Sequence, residues 1–430
     1  MRYIVLFWCS LLGYAIWSYG LADPNLVLTS WEPYWVFQNW IWSIARTQVQ
    51  FFTGAYLVLL LLLFWFSIRA TTWLRSIPTA STKKVLLGFF LAVSPLLISY
   101  NALSHDVFNY LFNAKMVVVY RQDPHIHTAL EFSDDDWTRF MHNTHTPAPY
   151  GYGWTGLSVL PYMLGMGKFT LSWIIFRLFS AGSLVLVFLA LRQLAERFGK
   201  KLSLADAAVF FLNPLVLIEV LSNSHNDLWM LAPALFGFSV LFARKRWSLR
   251  WRVVASLILL GFSISIKYAT AVLLPIWFVV LSLERFEANS FAQVGAKTLI
   301  PKNIFAFFTQ GLWQRVLRIF PYVAAVFLFI PLVTTQSQQY LPWYLTWSLV
   351  WMPFISSKKW RRFWLVLSIA ALLRYVPWLY AGGYQVDTVQ WQKMISWGIP
   401  VVWLAWFSMR TRGKTSVPAG DILIGKTIHE

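Results

Sequence analysis

Charge and cysteine are what this chain of 430 residues has least of. Charged side chains make up only 12% of it, against about 25% in a soluble domain, so a large solvated surface is excluded. Acidic residues are fewest, 17 against 36 lysines and arginines, which leaves a net charge of +19. Cys9 is the single cysteine, which rules out an intrachain disulfide and a cysteine-based metal centre. No glycine-rich phosphate loop or dinucleotide fingerprint is present, so no nucleotide is expected. There is also no internal repeat and no low-complexity tract.

In place of charge there are apolar runs. Hydrophobic residues make up 58% of the chain, in stretches of a length suited to crossing a bilayer. The basic excess falls in short clusters between these runs, such as Arg192, Arg197, Lys200 and Lys201, or Lys358, Lys359, Arg361 and Arg362. Clusters recurring at alternate loops report orientation in a membrane, not a nucleic-acid partner. With every cluster placed in the cytoplasm, the chain threads as an all-α polytopic protein of about 12 transmembrane helices, among them spans at about 85–103, 205–221, 227–243, 343–356 and 394–409. Both termini are then cytoplasmic. A single membrane domain covers 1–409, and a polar cytoplasmic tail covers 410–430. The first run, 3–22, reads as an uncleaved anchor rather than a signal peptide. A Trp-rich stretch, 24–50, suits the outer interface, as does the short segment 156–166. Residues 253–283 are too long for one span and read as two, turning near Lys267.

This threading gathers the unusual polar residues on the outer side, above all in the large loop 104–169, which is expected to carry short interfacial helices. Asp106, in SHDVFNY, stands where an apolar run ends. A carboxylate there either acts as a general base or caps the next helix. Asn109 and Tyr110, one turn on, share its face. Asp123 precedes Pro124 as a turn former, and Tyr150 precedes Gly151. His125 with His127, or His142 with His145, together with Asp134, Asp135 or Asp136, offer ligands to a divalent cation. Their spacing matches no strong metal signature, the aspartates read equally as a cap near Trp137, and no cofactor is firmly implied. His225, Asn226 and Asp227 read either as a helix cap or as substrate ligands. Lys267 reads as a snorkelling lysine or an anion clamp, with Arg374 as a second clamp. Trp343 and Tyr344 read as interfacial anchors or as a sugar-stacking pair.

Taken together and in this order, these elements resemble the GT-C superfamily of membrane glycosyltransferases. The resemblance is to the polyprenyl-phosphate-mannose-dependent mannosyltransferases of bacteria and archaea. It rests on Asp106 in DVFNY, Asp123-Pro124-His125, Tyr150-Gly151, His225 to Asp227, Lys267-Tyr268 with Leu274-Pro275, and Pro342 to Leu345. It spans about residues 85–350. Two positions depart from it: Tyr152 stands where proline is usual, and His125 where an aromatic is usual. The resemblance implies inverting transfer of a hexose, mannose by preference, from a polyprenyl-phosphate donor to an acceptor hydroxyl. The acceptor would be a glycan, lipid or protein, and the reaction would take place at the outer face of the cytoplasmic membrane. Asp106 would be the general base, and Asn109, Tyr110, Asp123, Tyr150, His225, Asn226, Asp227, Lys267, Trp343, Tyr344 and Arg374 would bind substrate. A transporter or lipid flippase is the alternative, but it would place charges near the bilayer midplane and show repeats. A non-catalytic scaffold would need no convergence of Asp, His and Lys.

Overall fold

The computed structural model describes residues 1–22, 29–78, 81–244, 247–297, 302–334, 340–383 and 386–412, and among these it is built of helices without a strand. The tail expected at 410–430 lies outside the described residues from 413 onward. Among the described residues seven helices are long and apolar enough to cross a membrane: Arg2–Leu21, Val49–Leu74, Phe169–Arg197, Leu249–Ile266, Tyr268–Arg285, Trp313–Val333 and Lys358–Ala381. An eighth crossing is completed if the bent pair Leu204–Phe211 and Pro214–Ser222, which turns through 57°, counts as one.

The all-α membrane architecture matches the expectation, but the count of about 12 is not reproduced. The difference lies in helix breaks, which hydropathy does not register, and in two unbroken helices that are too short or less apolar. In chain order the helices are α1 (Arg2–Ser18), α2 (Glu32–Thr47), α3 (Val49–Leu74), α4 (Thr82–Val93), α5 (Asp106–Lys115), α6 (Tyr152–Leu164), α7 (Phe169–Arg197), α8 (Leu204–Phe211) and α9 (Pro214–Leu217). They continue as α10 (Asp227–Leu241), α11 (Leu249–Ile266), α12 (Leu274–Lys297), α13 (Lys302–Val333), α14 (Leu345–Leu349), α15 (Lys358–Leu373), α16 (Tyr375–Ala381) and α17 (Val386–Arg412). The expected span 85–103 is α4 followed by a 3-10 turn at Ser94–Ile98, because Pro95 cannot continue the α-helical ladder. The expected span 343–356 is the 3-10 turn Pro342–Tyr344, then α14, then a second 3-10 turn, Met352–Phe354. Helix α10, in place of 227–243, is a shorter apolar helix, and α17, which contains 394–409, is long but less apolar than the seven. The break expected at Lys267 is present: α11 ends at Ile266, and Lys267 is extended, with ψ 126°.

Non-helical backbone at membrane depth is tolerated where protein buries it or where it lines a cavity. Here the interruptions are tied to one another. Arg177 of α7 is fully buried and donates to Leu96 O, Ser99 Oγ and Leu221 O, each at 2.9 Å, and to Asn101 Oδ1 at 2.6 Å. Ser99 Oγ lies 3.0 Å from Ser222 Oγ, which in turn donates to Tyr100 O at 3.1 Å. The strap before Asp106 is thereby sewn to the segment before His225.

Candidate active site

Asp106 is the first residue of α5, and its carboxylate bonds to a loop residue rather than to the helix end. It points sideways. Its Oδ2 accepts from the Tyr150 hydroxyl at 2.6 Å and lies 3.5 Å from His225 Nδ1. Tyr110 OH donates to Tyr150 OH at 3.3 Å, so two phenols lead in series to the carboxylate. Burial, then the neighbouring Asp106 carboxylate, push the Tyr150 phenol well above its ordinary pKa, so it stays protonated as a donor.

Gly151 explains how Tyr150 reaches this place. Its N–H donates to Ile266 O at 3.1 Å, and a Cβ at 151 would sit 2.0 Å from the Ser265 carbonyl oxygen. Only glycine lets the loop lie on the end of α11, which sets Tyr150 beside Lys267.

Lys267 neither snorkels nor stands open as a clamp. Its Nζ lies 2.8 Å from Asp227 Oδ1, and it sits over the rings of Tyr344 at 4.6 Å, Trp347 at 5.2 Å and Tyr150 at 5.5 Å. Trp347 Nε1 donates to the same Asp227 oxygen at 2.5 Å. These two partners hold Asp227, so the expected cap is absent and Asn226, at the N-cap position, makes no side-chain cap bond either. Asn226 Oδ1 and Nδ2, Asp227 Oδ2 and Asn109 Oδ1 are buried without a hydrogen-bond partner in the protein. Buried orphans of this kind are costly, and the one on Asn109 stands at the wall of a cavity.

A cavity of ≈ 560 Å³ opens against Asp106. Asn109, His142, Trp343, Arg374, Tyr375 and Gln392 contribute to its wall. Arg374 is therefore the cation expected from the sequence that faces the space beside the carboxylate, while Lys267 stands outside its lining. Trp343 stacks on His225 with ring centroids 4.0 Å apart and also lines the cavity. A second cavity, ≈ 310 Å³, is lined by apolar residues such as Ile4, Phe89, Leu184 and Phe211, with Lys84 at its wall; it has no carboxylate.

Asp123 does not join the cavity wall. It is held in a local turn, accepting from His125 N–H at 2.9 Å and Tyr152 OH at 2.8 Å, and the His125 amide bond is the main cause that lowers its pKa. His125 packs against Tyr152 at 4.0 Å, so the two departures from the family pattern touch each other. Of the residues offered to a cation, His127 pairs with Glu131 at 2.7 Å and Asp135 takes Trp137 N–H and Lys115. Among the described residues no group of three or more metal-binding side chains comes together.

Sequence reasoning missed Glu219, Tyr375, Arg177 and Gln392. Glu219 carried a readable signal, a lone carboxylate inside the apolar NPLVLIEVLS, which marks function by default.

One protein family matches residues 14–283: the MptA_B family, described as alpha-(1->6)-mannopyranosyltransferase, N-terminal domain. The chain belongs to this mannosyltransferase family. The match covers more than half of the chain and includes Asp106, Tyr150, His225, Asp227 and Lys267. No curated protein and no solved structure matches the mannosyltransferase.

Proposed function

We propose that this membrane mannosyltransferase moves mannose from a polyprenyl-phosphate donor to an acceptor hydroxyl at the outer face of the cytoplasmic membrane. The observation that carries the reading is a carboxylate and a guanidinium, Asp106 and Arg374, on one cavity wall, with the Trp343 ring beside them. Acceptor oxygen attacks the anomeric carbon, and its proton passes to Asp106. The bond from that carbon to the phosphate oxygen breaks, and the electron pair leaves on the polyprenyl phosphate. Arg374 faces the charge that develops there, and preorganised cations of this kind act selectively on the transition state. Trp343 gives the sugar an aromatic surface and Asn109 a polar atom, while Tyr344 and Asn226 stand behind this wall. Lys267, balanced by Asp227, holds Tyr150 in position. A lipid donor reaches the cavity sideways from the bilayer. The family description names an alpha-(1->6) linkage, which makes the primary hydroxyl of a mannose the first acceptor to try.

The test uses purified protein in lipid with radiolabelled polyprenyl-phosphate mannose and an α-mannooligosaccharide. Loss of the general base is worth roughly 10²- to 10⁴-fold, so Asp106→Asn is expected to lower kcat by that factor with the fold intact. Undiminished transfer by Asp106→Asn sinks the assignment.

A further inference from the structure

Glu219 is fully buried, and nothing in the transfer described above uses it. Its Oε2 accepts from Asn223 Nδ2 at 2.8 Å, and its Oε1 accepts from the Tyr375 hydroxyl at 3.0 Å. Oε2 also lies 3.3 Å from His225 Nε2, while His225 Nδ1 lies 3.5 Å from Asp106 Oδ2. One imidazole thus stands between two carboxylates and shows a different nitrogen to each. Neither contact has hydrogen-bond geometry here, and both ring nitrogens are buried without a hydrogen-bond partner. Contacts of this kind are often loose without substrate and tighten in the reacting complex.

Trp343 fixes the plane of the imidazole by stacking, with 20° between the rings. Stacking alone leaves open which way the nitrogens point within that plane. A carboxylate on one side settles it, as the orienting member of a catalytic triad does for its histidine. The backbone is bent to bring this about. Ile218–Ser222 is π-helical, His225 N–H donates to Glu219 O at 3.0 Å, and Ser224 between them has φ 60°. Single π-turns and left-handed non-glycine residues concentrate at functional sites.

We propose that Glu219 is a positioning residue for transfer, which orients His225 so that Nδ1 meets the Asp106 carboxylate as the carboxylate takes the acceptor proton. The inference rests on Asp106 being the base. A purely structural Glu219 would instead tie Asn223 and Tyr375 together with no bearing on His225, and a double-mutant cycle separates the two.

Wild type, Glu219→Gln, His225→Asn and the double variant are compared for kcat and KM with radiolabelled polyprenyl-phosphate mannose and an α-mannooligosaccharide. Glu219→Gln is expected to lower kcat by about 10- to 100-fold, the worth of one charge-assisted contact, with KM within about threefold. The double variant is expected to be no slower than His225→Asn alone. Glu219→Asp, which keeps the charge, is expected to recover part of the rate; if Glu219→Gln does not fold, Glu219→Asp enters the same cycle under the same criterion. Additive losses in the cycle, or wild-type kcat in Glu219→Gln, overturn the proposal. If Asp106→Asn is inactive while Glu219→Gln is fully active, this inference alone fails. A wild type without turnover overturns the parent reading and this one with it.

Discussion

At the scale of single residues, titration behaviour follows from what each side chain touches. His105, next to Asp106, is enclosed by Tyr100, Phe108 and the stacked ring of His142, 3.8 Å away. Burial, then the His142 ring, push its pKa down to about 3. The unfolded chain binds a proton there below about pH 6.5, and the folded protein does not. The stability His105 contributes is therefore present above that pH and is lost as pH falls toward the folded value. The thermal midpoint in detergent is expected to drop between pH 7 and pH 5, and to drop less in His105→Gln. An equal decline in both proteins refutes the assignment. Residue scale is also where the sequence was most legible. Asp106, His225 and Asp227 stand out as polar residues at the ends of apolar runs, Lys267 as a charge within one and Tyr150 through the family resemblance, and the five meet in one cluster. Asp123 reads as a turn former and serves its own turn; the substrate role that the resemblance implies for it is not one a turn-forming Asp-Pro can reveal.

At the scale of elements, the site is made where helices stop. The strap after α4, the π-turn before α10, the break at Lys267 and the 3-10 turn at Pro342–Tyr344 each bring in one part of it. Hydropathy reports burial in lipid and not the continuity of a hydrogen-bond ladder, so such breaks read as spans, and Glu219 is hidden inside one of them. The exception was 253–283, where a lysine in mid-run exposed the break. Gly151 lies directly against the end of α11, with no room for a side chain. Forcing a methyl group into a tight contact costs about 1–3 kcal/mol, and here it would also displace Tyr150 from Asp106. Gly151→Ala is expected to lose kcat more than tenfold and to lower the thermal midpoint. A fully active Gly151→Ala would show that the Tyr150–Asp106 contact is dispensable.

At the scale of the whole molecule, the basic clusters are joined across helix ends. Arg252 donates to Leu241 O at 2.6 Å and grips Glu284 with both terminal guanidinium nitrogens, and Arg361 pairs with Asp206 at 2.7 Å. The second pair is part-exposed, and such pairs contribute no more than about 1 kcal/mol. The number of cations bears on orientation more than any one bridge bears on stability. The proposed outward site is tested by single cysteines placed in a Cys9→Ser background. His127→Cys is expected to react with a membrane-impermeant maleimide added from outside to intact cells, and Arg192→Cys only after permeabilisation. The reverse pattern refutes the proposed orientation.

The contact between His125 and Tyr152 bears on how sequences of this kind diversify. Each ring supplies the other's packing surface, and Tyr152 also holds the aspartate of the turn. Changing either position alone leaves its neighbour against a gap, whereas changing both restores a surface. The two sites are therefore expected to be inherited as a unit: a lineage that acquires proline at 152 should acquire a bulkier aromatic at 125 along with it.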